Sequence, residues 1–167
     1  MAVRPLVYYP HPVLRRAAEP VLGFGRDLQA LAEDLLDTMK AAPGVGITAP
    51  HIGVLLRVTV IQLDAAQEPR TYVNPRILWS SDETIRHTEG SVSMPGVTED
   101  IERPAHVRVG YQDTDGVERQ EEASGFMAVC LQHEIDQLDG IFWIDHLSRL
   151  RRERVIKRYE KLRRVKG

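Results

Sequence analysis

Residues 124–140 constrain this chain more than any other stretch. Ser124 reads as an N-cap and Gly140 as a C-terminal stop, and Met127, Cys130, Leu131, Glu134 and Leu138 recur at helical spacing between them. The same helix carries Gln132-His133-Glu134-Ile135-Asp136-Gln137, where positions 133 and 137 share one face about one turn apart. It follows a series of strand signals and precedes a last helix, so the expected class is α+β.

The other elements are read from periodicity. Leu28, Leu31, Leu35, Leu36 and Met39 predict a helix over 27–42, ended by Pro43 and Gly44. Residues 8–15, with two prolines, read as an extended stretch, and 44–57 as a loop marked by glycine and proline. Residues 58–61 are a β-branched strand, and 71–79 hold another, interrupted by Pro75. Residues 81–100 mix turn residues with short alternating pieces. Val107, Val109 and Tyr111 predict a half-buried strand over 105–112, with a hairpin turn at 113–116 and a return strand over 117–122. Residues 141–144 are a short apolar strand. Val155, Tyr159, Leu162 and Val165 or Lys166 mark one stripe of a final helix.

Composition sets outer limits. At 167 residues, 43% apolar and 28% charged, the chain fits one globular domain (1–167), with a core over 1–147 and a basic helix over 148–167. The N-terminus does not read as a signal peptide and no apolar run is long enough to span a membrane, so a cytoplasmic setting is expected. The single Cys130 excludes an internal disulfide and a Cys-rich zinc site. It reads as a small buried hydrophobe. Residues 148–167 hold ten Lys and Arg against Glu153 and Glu160, although the whole chain carries −2. A basic end on an acidic body points to an anionic partner.

Three motifs bear on chemistry. His133-Glu134 followed by Gln137 has the spacing of H-E-x-x-H, in which two imidazoles hold a metal and the Glu acts as general base. Alone, such a pair is more often a polar helix face. Gly44-Val45-Gly46-Ile47-Thr48-Ala49-Pro50-His51 permits close backbone approach but lacks the Lys-Ser/Thr of a phosphate loop. Glu89-Gly90-Ser91-Val92-Ser93 is by itself an ordinary turn.

In this order the three motifs resemble the signatures of peptide deformylases: G-x-G-x-A-A-P-Q, E-G-C-L-S and Q-H-E-x-D-H. The likeness extends to Tyr9-Pro10, Tyr72-Val73-Asn74-Pro75 and the run from Leu138 to Asp145, nearly the whole chain. It implies antiparallel sheets around a central helix bearing the third motif, with a C-terminal helix. It also implies hydrolytic removal of the formyl group from N-formyl-Met peptides. The family's metal, iron(II) or a zinc or nickel substitute, is held by a Cys and two His. The matching positions here are Ser91, His133 and Gln137, so only His133 is unchanged. The resemblance assigns catalytic places to Glu134, to His51 (a Gln in the family pattern) and to the Val92 N–H. Gly44, Val45, Gly46, Glu89 and Gly90 take substrate-binding places.

A neutral hydroxyl and a neutral amide are poor replacements for a thiolate and an imidazole. Three readings follow. The first is a silent deformylase-like protein without cofactor that keeps a groove for peptide N-termini. The second is a rewired amidohydrolase, in which His51 and His133, with Glu134, Gln137 or His87, hold a divalent metal such as zinc or iron(II). The third is a metal-free hydrolase with Ser91 as nucleophile and His133 as base. His11, His106 and His146 read as surface or capping residues. The basic terminal helix resembles one that contacts the ribosome in some deformylases, so ribosome or RNA association is expected.

Overall fold

The computed structural model describes residues 2–166. A five-stranded antiparallel sheet has the order β1-β2-β3-β6-β7, built from β1 (Gly46–Thr48), β2 (Val58–Ile61), β3 (Arg70–Ser80), β6 (His106–Gln112) and β7 (Glu118–Ser124). A separate two-stranded sheet pairs β4 (Thr84–Ser91) with β5 (Met94–Pro104). α1 (Arg26–Ala41) buries Leu28, Ala32, Leu35 and Met39 with Ile47 and Val58 of the sheet. α2 (Gly125–Leu138) packs against strands of both sheets. Ala128, Leu131 and Ile135 join Tyr72, Val107 and Val109 in one core cluster. The α+β class and the central helix stand as expected.

Several local expectations change. Residues 8–15 are not wholly extended: Pro12–Arg15 form a 3-10 turn, opened by His11, whose Nδ1 accepts the Val13 N–H at 3.0 Å. Proline's fixed φ suits that first helical position. The loop expected over 44–57 contains β1 and a 3-10 turn, Ala49–Ile52. β1 is too short for its period to be read. Of residues 81–100, all from 84 onward belong to the β4–β5 hairpin. β3 runs through Pro75, with a register shift between Val73 and Arg76 and Asn74 at φ 51. An irregularity is where a strand tolerates a residue lacking an N–H.

Residues 141–144 are not a strand; Trp143–His146 form a 3-10 turn. Phe142, Trp143 and Ile144 are all buried, and a continuous apolar run has no period to identify it. Ser124 occupies the N-cap of α2 but makes no capping bond, and its Oγ lies 2.7 Å from His106 Nδ1 instead. Gly140 is required where it stands. It has φ +79, and a Cβ there would lie 2.7 Å from the Arg15 carbonyl oxygen.

α3 (Arg149–Lys166) docks through Val155 and Tyr159, both buried in a cluster with Met94, Val97, Ile101 and Phe142. The stripe fades toward the end. Leu162 is exposed although it touches the Gly96 turn, Val165 is exposed, and the Lys166 side chain lies outside the described residues. Among the described residues no helix is long and apolar enough to cross a membrane.

Candidate functional site

α2 presents His133 and Glu134 to a cavity of about 440 Å³ between the β1 edge, the β4–β5 turn and the helix. Its wall includes Gly44, Val45 and Gly46 from the first motif, Glu89, Gly90, Ser91 and Val92 from the second, and His133 and Glu134 from the third. The three motifs therefore meet. The glycines make this possible. A Cβ on Gly46 would stand 3.2 Å from Glu134 Cδ, and one on Gly44 2.8 Å from Val92 Cγ1. His51 and Gln137 do not line the cavity.

Behind His133 runs a continuous ion-pair network. His133 Nδ1 lies 2.9 Å from Glu89 Oε1. Arg103 grips Glu89 with two bonds, Nε to Oε2 at 2.6 Å and Nη2 to Oε1 at 2.9 Å. Its Nη1 donates to Asp136 Oδ2 at 2.8 Å, and His146 Nε2 meets the same oxygen at 2.8 Å. Burial works against the Glu89 charge, but the His133 and Arg103 bonds outweigh it and bring its pKa down to about 2. An ionised Glu89 accepts, so Nδ1 of His133 carries the proton and Nε2 is its free position. Burial opposes a charge on His133, yet the Glu89 bond and the nearby Glu134 raise its pKa on balance.

Glu134 is buried, and burial pushes its pKa up to about 7. Its Oε1 stands 3.6 Å from His133 Nε2, and its Oε2 has no partner among the described residues. His51 Nδ1 accepts the Thr48 N–H at 2.9 Å and lies 3.0 Å from the Thr48 hydroxyl. Burial, then the neighbouring His133, bring the His51 pKa down to about 3. The ring is neutral, with its proton on Nε2, which has no partner. His51 is thus part of the local turn rather than the cavity wall.

The substituted positions are occupied by protein contacts. Gln137 is buried and its Nε2 donates to the Leu14 carbonyl at 2.8 Å. Ser91 Oγ accepts the Ser93 N–H at 3.1 Å and makes no hydrogen bond to His133. His87, a candidate for a rewired site, stacks on Phe126 at 4.6 Å and turns Nδ1 to the Thr88 carbonyl. Cys130 lines the cavity's apolar side, and burial pushes its thiol up to about 12, so it is no nucleophile.

Arg103 and Asp136 were not among the sequence candidates, and His146 was read as surface. Asp136 sits inside the third motif, three residues after His133, which was an available signal. Nothing in the spacing indicates Arg103, because its bonds to Glu89 and Asp136 span distant parts of the chain.

The polypeptide deformylase family matches residues 3–153. The chain belongs to that family. It is 64% identical over 164 residues to a "Peptide deformylase-like" protein of Brucella melitensis, covering 98% of this chain and all of that one. A peptide deformylase of Phenylobacterium zucineum is 46% identical, with 96% and 97% covered. Among solved structures, a Legionella pneumophila peptide deformylase superposes with a TM-score of 0.94 at 38% identity, covering 99% and 98% of the two chains.

The family's metal does not fit the donor set at these positions. Ser91 offers a neutral hydroxyl and Gln137 an amide whose nitrogen is bound to Leu14, which leaves His133 Nε2 as the one strong donor. His51 presents an N–H rather than a lone pair on its free nitrogen. Among the described residues no three His, Cys, Asp or Glu side chains are grouped to hold a metal ion.

Proposed function

We propose that this deformylase-fold protein has lost metal-dependent formyl hydrolysis and keeps its cavity to bind peptide amino termini. The observation that carries this reading is the Gln137 amide, buried and bonded to the Leu14 carbonyl instead of lining the cavity. The glycines, Val92 and Glu134 still form a wall of the kind that closes round an extended peptide end. The bonding of His51 to Thr48 and the stacking of His87 on Phe126 count against a metal site rebuilt on His133. The test is metal content of anaerobically purified protein, together with hydrolysis of N-formyl-Met-Ala-Ser. Substoichiometric metal and no turnover are expected. Metal-dependent turnover that disappears in Glu134→Ala would restore deformylation as the function.

A second reading concerns α3. Its docked side is Val155 and Tyr159, while Arg154, Lys157, Lys161 and Arg164 are exposed and make no ion pair among the described residues. This ridge suits a polyanion such as ribosomal RNA. Replacing the four by Glu is expected to abolish salt-sensitive co-sedimentation with ribosomes while leaving the docked side intact. Absence of wild-type binding at low salt would end this reading.

A further inference from the structure

One face of the five-stranded sheet is only half covered. α1 packs across β1 and β2 on that face and takes in Val73 of β3. α2 lies on the opposite face, against Tyr72, Val107 and Val109. Beyond α1 the first face is open, and two consecutive large apolar side chains stand on it. β3 shifts register between Ile77 and Trp79. Leu78 and Trp79 therefore both point outward, 40% and 49% exposed, where regular alternation would turn one of them in. Leu78 leans over Gly110, at which a Cβ would lie 3.1 Å from its Cδ1. The Arg108 guanidinium lies 6.0 Å from the centre of the Trp79 ring. The charges around this pair are segregated by strand. Arg76 and Arg108 stand on β3 and β6, and Glu118 and Glu122 on the edge strand β7. The pairs they form within the chain are long, Arg76 to Glu118 at 3.8 Å and Arg108 to Glu122 at 3.4 Å. All four side chains are well exposed, so these pairs contribute little and are free to re-form with other partners.

A basic strip beside an acidic strip, with an apolar pair among them, is complementary to a copy of itself turned about a two-fold axis. We propose that this open half-face is where two copies of the chain associate as a symmetric dimer. Leu78 and Trp79 of the two copies bury one another, and the Arg76–Arg108 strip of each lies against the Glu118–Glu122 strip of the other. The β7 edge does not offer the same match. Antiparallel pairing of two β7 strands about Gln120 would set Glu118 against Glu122, like charge against like. Association therefore runs through the face and not through the edge.

Sedimentation velocity of the full chain, from about 1 µM to about 200 µM, tests this. A reversible dimer is expected within that range. Trp79→Glu is expected to weaken it at least about 100-fold. Charge reversal reports the arrangement. Arg76→Glu with Arg108→Glu makes the face wholly acidic, and Glu118→Arg with Glu122→Arg makes it wholly basic. Each double variant is expected to be monomeric alone, and the two are expected to form a mixed dimer when combined. Should a variant fail to fold, the wild type still decides. Its other tryptophan, Trp143, is buried, so acrylamide quenching of fluorescence reports Trp79 and is expected to fall as concentration rises. A wild type that stays monomeric at about 200 µM overturns the proposal. So does a dimer that Trp79→Glu leaves intact, or quenching that does not change as the dimer forms. Reversed variants that do not pair when mixed overturn the matching of the two strips.

Discussion

The two sides of His133 differ in kind. On one side its Nδ1 meets Glu89, then Arg103, Asp136 and His146, in bonds of 2.6–2.9 Å. On the other side, where a thiolate and a second imidazole belong in the family pattern, stand Ser91 and Gln137, each neutral and each bonded to backbone. A metal ligand held by such a network is ordinarily oriented for its metal. Here such a network stands beside a neutral hydroxyl and a neutral amide at the two matching positions. The network ties β4, β5 and α2 together through Glu89, Arg103, His133 and Asp136. The two sides differ in their bonding: Nδ1 is held in a chain of short ion-pair hydrogen bonds, whereas Nε2 has, among the described residues, only the Glu134 Oε1 at 3.6 Å, beyond hydrogen-bond reach.

The sharpest way to break this contrast is Arg103→Met. It leaves Glu89 buried and Asp136 partly buried, with His133 and His146 as their remaining side-chain partners among the described residues. A loss of about 3–5 kcal/mol is expected by urea denaturation. A loss below about 1 kcal/mol would mean that the charges relax into solvent and that the network does not hold the helix. Gln137→Leu probes the opposite side. It removes the donor to the buried Leu14 carbonyl, and a loss of about 1–3 kcal/mol is expected. If Gln137→Leu costs as much as Arg103→Met, the two sides are not energetically distinct.

The asymmetry also explains what could be read from the sequence. α1 and α2 are periodic and bounded, so they were legible residue by residue. β1 has three residues, and the apolar run at 142–144 buries every side chain, so neither has a usable period. In the site, the motifs located the cavity wall because Gly46, Ser91 and Glu134 are set by local sequence. They do not reveal the bonds that hold His51 and Gln137, which are not among the residues of the cavity wall. Each forms its bond out of view of the cavity, His51 three residues back to Thr48 and Gln137 across the molecule to Leu14. Arg103 is an ordinary strand residue until the fold brings it to Glu89. Side chains that act through distant partners leave no spacing in the chain.

Next in size is His51→Ala. The Thr48 N–H loses its acceptor inside a buried turn, for an expected loss of about 1–2 kcal/mol. His51→Gln supplies an amide oxygen at the same place and should recover part of it. The measurement is again the urea midpoint at constant slope. Recovery by Gln would show that His51 serves the turn. A variant that kept full stability but lost peptide binding would move His51 into the cavity's chemistry after all.

The smallest effect is expected at Ser91. Its Oγ accepts one N–H, from Ser93, at the rim where β4 turns into β5, and the side chain is only half-buried. Ser91→Ala should cost about 0.5–1 kcal/mol, because a neighbouring water can satisfy the N–H at a rim. The same variant discriminates chemistry. If the hydroxyl were a nucleophile with His133 as its base, a serine-reactive fluorophosphonate would label the wild type at Ser91 and leave Ser91→Ala unlabelled. No labelling is expected in either, since Ser91 and His133 share no hydrogen bond and His133 is drawn toward Glu89. Labelling at Ser91 would make the altered side of His133 a reactive one, and the contrast with its ion-paired side would then be between support and catalysis.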